Sequence, residues 1–162
     1  MERFLIALDC QPDCVKILDY VVRVLKGIQD FEFTIFHVFA TESPDKLRME
    51  DVQRIEHMHD ARPDLAGYFW KQEDEKNMER CFIQAREKLV LAGFRPESVL
   101  SLFAVQSGDI AEIILAKAAE LGCSTIVLGR RRPSLVKQLL LGSVSTSVVK
   151  LARSSAVWVV EI

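Results

Sequence analysis

The fold is decided by one stretch, Ser124-Thr-Ile-Val-Leu-Gly129-Arg-Arg-Arg132, which is followed nine residues later by Gly142-Ser143. The apolar run predicts a buried strand that ends at Gly129, and the amphipathic segment from Val144 to Ala152 predicts a helix. Glycines allow backbone N–H groups to approach an anion, and a helix N-terminus favours negative charge. The stretch therefore predicts a phosphate-binding loop between a strand and a helix. A solvated basic loop accounts equally well for the arginines alone.

Five short apolar runs predict the strands of the molecule. Most of them are continuously apolar, which is typical of parallel strands covered on both faces. The runs are Phe4–Leu8, Phe33–Phe39, Val99–Val105, Thr125–Leu128 and Val157–Val160.

Helical periodicity separates these runs and places apolar residues on single faces. The four sets are Val15, Leu18, Val22 and Leu25; Met78, Phe82, Ala85, Leu89 and Ala92; Ile110, Ile113, Ile114, Ala118 and Leu121; and Val144, Val148 and Leu151. Asp109 resembles a helix cap, and Gly93 and Gly122 resemble helix stops. The alternation of strands and helices predicts a single doubly wound α/β domain over residues 1–162, with helices on both faces. The polar stretch from Ala40 to Lys76 is interpreted as an insertion.

Composition limits the class of partner and the location. A net charge of −2 gives no general attraction to nucleic acid or to an anionic membrane. The first nine residues do not resemble a signal peptide, so we expect a cytoplasmic protein. Its four cysteines are then expected to be reduced, as small buried or half-buried thiols. His37 lies within a predicted strand, and we expect it to be a structural histidine.

Candidate functional residues fall at the carboxyl ends of the predicted strands, where open parallel sheets bind ligands. Asp9 ends the first strand, Val38 and Phe39 end the second, and Gly129 ends the fourth. Asp9 could equally cap the helix that follows it. The sequence contains no nucleophile elbow, no complete P-loop and no dinucleotide fingerprint, so a dedicated hydrolase or kinase is not predicted.

The chain resembles the universal stress protein family over nearly its whole length. The segments that carry the resemblance are Phe4-Leu-Ile-Ala-Leu-Asp9, Ser107-Gly108, Ile126-Val-Leu-Gly129, Gly142-Ser143-Val144-Ser145 and Val157-Trp-Val-Val160. The spacing from Gly129 to Gly142-Ser143 matches that of the family's nucleotide-binding members. The resemblance implies an adenine nucleotide alpha hydrolase-like sheet in the order 3-2-1-4-5, with ATP, and Mg²⁺ with it, between strands one and four. It implies a regulatory stress-response protein without dedicated catalysis.

The resemblance also assigns roles to individual positions. Asp9 would lie by the adenosine moiety and the backbone near Val38 would meet the adenine edge. The ribose and phosphates would be held by Gly129, Gly142 and Ser143, and the nucleotide-binding set is completed by Arg130, Arg132 and Val144. No metal-ligating residues and no catalytic residues are assigned.

Two departures from the family pattern support other hypotheses. Arg132 replaces a glycine and is followed by Pro133, which disfavours a close backbone approach to the ligand. Cys10-Gln11 stands where the family often has Gly-Ser. One alternative is therefore a dimer that binds no nucleotide and acts as an interaction module. A slow ATPase using Ser143 or Asp9 is a further alternative.

The last strand, within residues 156–162, would form an edge of the implied sheet. An uncovered apolar edge strand promotes aggregation, and pairing with the same strand of a second copy would cover it. The resemblance indicates the same arrangement. We therefore expect a homodimer through the C-terminal strand.

Overall fold

Five parallel strands form one sheet in the computed structural model, which describes residues 1–28, 30–40, 54, 71–130 and 142–162. The strands are β1 (Glu2–Ala7), β2 (Phe31–Phe39), β3 (Val99–Val105), β4 (Thr125–Arg130) and β5 (Ala156–Glu161). Their order is β3-β2-β1-β4-β5, as the resemblance implied. In the registers, Ile6 lies between Ile35 on β2 and Val127 on β4.

In the part of the chain that the structure describes, four long helices cover the sheet, two on each face. They are α1 (Ile17–Leu25), α2 (Gln72–Leu91), α3 (Ile110–Glu120) and α4 (Ser143–Leu151). Short 3₁₀ turns at Cys14–Lys16 and Pro96–Ser98 precede α1 and β3. Helices α1 and α2 pack on one face, and α3 and α4 pack on the other. This arrangement confirms the predicted doubly wound α/β class.

Each sheet face carries its own apolar layer, because successive side chains of a strand point to opposite faces. Phe33 is fully buried on the α1–α2 side, where its ring lies 4.9 Å from that of Phe94 and 5.8 Å from that of Phe4. On the α3–α4 side, Phe36 is fully buried among aliphatic side chains. Two-sided burial explains why the strands are apolar without alternation.

The helix ends follow the predicted signals. The Asp109 carboxylate accepts a hydrogen bond of 2.7 Å from the Ala111 N–H and caps α3. Gly93 and Gly122 follow α2 and α3 with φ of +98° and +64°, a region that favours glycine. The expected buried face of α4 was wrong at Leu151, which is 45% exposed. Leu151 is the last residue of α4, and the buried positions of that helix are Ser145 and Val148.

The polar stretch between β2 and α2 is shorter than the sequence suggested. Residues 72–76 form the first turns of α2, which begins at Gln72. Three acidic residues in its first turn suit the positive end of the helix dipole. Apart from Ala40, residue 54 and residues 71–76, the predicted insertion lies outside the described residues. In the described part of the chain, no helix is long and apolar enough to cross a membrane.

Candidate functional site

A cavity of about 690 Å³ opens at the carboxyl ends of the strands. It lies where the chain order reverses, since β1 has β2 on one side and β4 on the other. Its walls come from the loop after β1, the ends of β2 and β4, the beginnings of α2, α3 and α4, and the C-terminal residue. The lining residues include Leu8–Gln11, Cys14, Phe36–Ala40, Asp74, Asn77, Ile110, Ile114, Leu128–Arg130, Gly142–Ser145 and Ile162.

Seven of the eight sequence-predicted nucleotide-binding residues line this one cavity. They are Asp9, Val38, Gly129, Arg130, Gly142, Ser143 and Val144. The eighth, Arg132, lies outside the described residues. Long-range folding thus brings together residues from three strand ends and one helix N-terminus.

The start of α4 forms one wall of the cavity. Gly142 is the N-cap residue and has no side chain that could cap the first N–H groups of the helix. Ser143 is the first helical residue and therefore is not the N-cap. A Cβ atom built on Gly142 would meet no atom of the described residues within 4 Å. Helix N–H groups beside an open cavity suit an anion.

Arg130 brings a positive charge to the same wall. It is the last residue of β4, half-buried, and it lines the cavity next to Gly129. Its Nε atom is buried and has no hydrogen-bond partner among the residues described. A buried donor without an acceptor costs about 1–3 kcal/mol. An anionic ligand in the cavity would supply the acceptor that the described residues do not.

The end of β2 presents backbone groups to the opposite side of the cavity. The Phe36 carbonyl accepts from the Leu8 N–H on the β1 side, whereas the Phe39 carbonyl accepts from the Gln106 N–H on the β3 side. Because alternate residues of a strand direct their backbone groups to opposite sides, both groups of Val38 face the β1 side. Strand β1 pairs with β2 only as far as Ala7, opposite Phe36. Val38 therefore offers one donor and one acceptor beyond the end of β1.

Asp9 and His37 lie beside each other near this edge. One Asp9 carboxylate oxygen accepts a hydrogen bond of 3.1 Å from the Gln11 N–H, so Asp9 shapes the loop between β1 and α1. His37 Nδ1 lies 2.8 Å from the Leu8 carbonyl oxygen. Burial lowers the pKa of His37, which keeps the imidazole neutral at pH 7. Nδ1 then carries the proton that it donates to Leu8, and Nε2 remains an acceptor.

Several lining residues were not predicted from the sequence. Asp74 and Asn77 project from the first turns of α2, three residues apart and so on one face of the helix. The sequence shows that Asp74 and Asn77 are three residues apart, but this spacing does not show that their face of α2 borders the cavity. Cys10 has a φ of +54°, the left-handed region where the family often carries glycine. Within the described residues, no group of three or more His, Cys, Asp and Glu side chains could hold a metal ion.

Comparison with known proteins identifies the family. The model of the universal stress protein family matches residues 1–161. The chain belongs to the universal stress protein family. It is 29% identical over 152 residues to the universal stress protein YxiE of Bacillus subtilis, with 93% of each chain covered.

Solved structures of universal stress proteins share the fold. One is a family member from Arabidopsis thaliana with AMP bound, with a TM-score of 0.63, 16% identity, and 99% of this chain and 92% of that chain covered. Another is the universal stress protein from Archaeoglobus fulgidus in complex with dAMP, with a TM-score of 0.60, 16% identity, and 98% and 97% covered. At this identity the likeness shows the shared fold.

Proposed function

We propose that this universal stress protein binds an adenine nucleotide, ATP with Mg²⁺, in the cavity between β1 and β4, as a regulatory protein of the stress response rather than a dedicated catalyst. The observation that carries the proposal is the buried Nε of Arg130, which has no hydrogen-bond partner among the described residues, together with the N-terminus of α4 in the same cavity wall. The AMP and dAMP complexes of the Arabidopsis and Archaeoglobus proteins support the choice of an adenine nucleotide.

The base would lie at the end of β2. Adenine presents an amino donor next to a ring-nitrogen acceptor. The carbonyl and N–H of Val38 supply the complementary acceptor and donor past the last residue of β1 that pairs with β2. Guanine places a carbonyl oxygen where adenine has its amino group, so it would oppose the Val38 carbonyl. We therefore expect adenine to be preferred over guanine.

The ribose and phosphates would extend from Asp9 toward β4 and α4. The Asp9 carboxylate lines the cavity and is exposed, which suits a contact with ribose hydroxyls. The phosphates would then meet the N–H groups at Gly142, Ser143 and Val144, with the Arg130 guanidinium beside Gly129. Arginine pairs with phosphate through charge-assisted hydrogen bonds. Mg²⁺ would enter as the nucleotide complex, coordinated by phosphate oxygens.

Calorimetric titration with ATP and Mg²⁺ tests this function. We expect saturable binding with one site per chain, and a melting temperature that rises with ATP concentration because the ligand binds the folded state. GTP under the same conditions should bind at least about tenfold more weakly, because guanine offers no donor to the Val38 carbonyl. Absence of heat and of thermal shift at millimolar ATP would reject nucleotide binding and favour the interaction-module hypothesis.

We further propose a homodimer through β5. This strand pairs with β4 on one side only and ends the sheet. Trp158 packs against the ring of Phe4 at 5.3 Å, so the strand is anchored to the core and presents a regular edge. Pairing with β5 of a second copy would satisfy its outer backbone groups. Sedimentation at micromolar concentration should give a dimer, and a monomer would refute this arrangement.

A further inference from the structure

Three cysteines meet beside the cavity, although they are far apart in the chain. Cys10 and Cys14 lie in the loop between β1 and α1, and Cys81 lies on α2. The Sγ atoms of Cys14 and Cys81 are 2.7 Å apart, and these two residues are 67 positions apart in sequence. The Cys10 thiol lies close enough to Cys81 to raise its pKa. The fourth cysteine, Cys123, is buried in the apolar layer on the other face of the sheet.

The two sulfur atoms at 2.7 Å differ in their access to solvent. Both residues are buried, but Cys14 lines the cavity and Cys81 does not. A small molecule that enters the cavity therefore reaches Cys14 before it reaches Cys81. Sulfur atoms already in contact can be joined without a large backbone movement. Cys10 also lines the cavity and holds a left-handed backbone conformation, with a φ of +54°.

The environment holds both residues as thiols at neutral pH. The hydrogen bond with Cys81, together with burial, raises the pKa of Cys14 well above its ordinary value. The nearby Cys10 thiol, together with burial, raises the pKa of Cys81 to about 12. Because the thiolate is the nucleophile, the pair reacts slowly and resists mild oxidants. A site of this kind responds to sustained exposure to an oxidant.

We propose that Cys14 and Cys81 are a modification site that a hydroperoxide converts to a reversible disulfide. Cys14 attacks one peroxide oxygen, the O–O bond breaks, and the thiol proton leaves with the alcohol or water formed. The resulting Cys14 sulfenic acid is attacked by the Cys81 sulfur. The S–S bond forms, the S–O bond breaks, and the Cys81 proton leaves with the hydroxide as water. Two thiols and one hydroperoxide thus give one disulfide, one alcohol or water, and one water.

The disulfide would close a long chain segment that contains β2 and the stretch between β2 and α2. Closing a loop of this length restricts the unfolded chain, and we expect the melting temperature of the oxidised protein to rise by about 5–15 °C. The bond would also join the loop after β1 to α2, and both of these elements line the cavity. The inference is independent of whether a nucleotide binds there.

Peroxide treatment of the purified full-length chain, followed over hours, tests the proposal. We expect loss of two of the four free thiols, a tryptic peptide pair joined through Cys14 and Cys81, and reversal by dithiothreitol. The C123S variant should behave like the wild type. The C14S and C81S variants should lose the thermal shift, and C14A and C81A serve if a serine variant does not fold when reduced.

Three results would overturn the assignment. One is a peroxide-treated protein that keeps all four free thiols. Another is a linkage made through Cys10 or Cys123 in the wild-type chain. The third is a thermal shift on oxidation that persists in both C14A and C81A.

Discussion

Replacement of Arg130 by methionine separates a ligand-binding role from a structural one. Arg130 lines the cavity, and its Nε atom is buried without a hydrogen-bond partner among the described residues. Methionine is unbranched, shorter than arginine and has no donor, so it removes the unpaired group and fills part of the same space. If Arg130 stabilises the fold, its replacement should lower the melting temperature of the protein without nucleotide. If Arg130 binds the ligand, its replacement should lower only the affinity for the ligand.

R130M should raise the stability of the protein without nucleotide and lower its affinity for ATP. An unpaired buried N–H costs about 1–3 kcal/mol, part of which is offset by the lost packing of the longer side chain. We therefore expect R130M without nucleotide to gain about 1 kcal/mol, or about 2–4 °C in melting temperature. A hydrogen bond from a charged group contributes about 1.5–3 kcal/mol. Its loss should weaken ATP binding about 10- to 150-fold.

Thermal denaturation without nucleotide and calorimetry with ATP measure the two quantities on the same samples. R95M is the matched control, because Arg95 is exposed and does not line the cavity. It precedes the amino end of β3, whereas the cavity lies at the carboxyl ends of the strands. R95M should change neither quantity appreciably. A variant R130M that melts several degrees lower than the wild type, yet binds ATP with unchanged affinity, would refute the reasoning.

Three further predictions concern stability. D109A removes the 2.7 Å cap on the Ala111 N–H and should cost about 1 kcal/mol in unfolding free energy, whereas D109N should retain most of it; denaturant titration compares them. F33A empties a fully buried position and should cost about 3–5 kcal/mol, with F33L losing clearly less in the same titration. Burial lowers the pKa of His37 below its ordinary 6.5, so the unfolded chain takes up the proton first. The stability should be complete above pH 6.5 and decline as the pH falls below it, and H37N should flatten this decline in melting scans. An unchanged slope in H37N would show that other groups cause it.

The sequence was sufficient to predict the strands and helices, because burial on both faces leaves a clear signal. Continuous apolar runs marked all five strands to within two residues at each end. The order of the strands came from the family resemblance, since periodicity does not reveal which strands are neighbours. The spacing drew attention to Gly129 and Gly142-Ser143, which line the cavity near the end of β4 and at the start of α4.

Other features depend on three-dimensional placement and could not be predicted. A run of three arginines does not show whether Arg130 turns inward, and the burial of its Nε atom is visible only in the folded chain. The contact of Cys14 with Cys81 joins a loop to a distant helix, and the sequence suggested only isolated buried thiols. The burial of Ser145 and the exposure of Leu151 on α4 likewise follow from where that helix ends against the sheet.

The central claim is that the cavity at the ends of β1 and β4 binds ATP. A titration of the ¹⁵N-labelled protein with ATP and Mg²⁺, followed by amide resonances, tests both the binding and its location. The account predicts saturable shifts at Asp9, Val38, Gly129 and Gly142, which line the cavity. It predicts no shift at Arg95, which lies before the amino end of β3 and outside the cavity. Unchanged spectra at millimolar ATP, or shifts confined to residues outside the cavity, would contradict it.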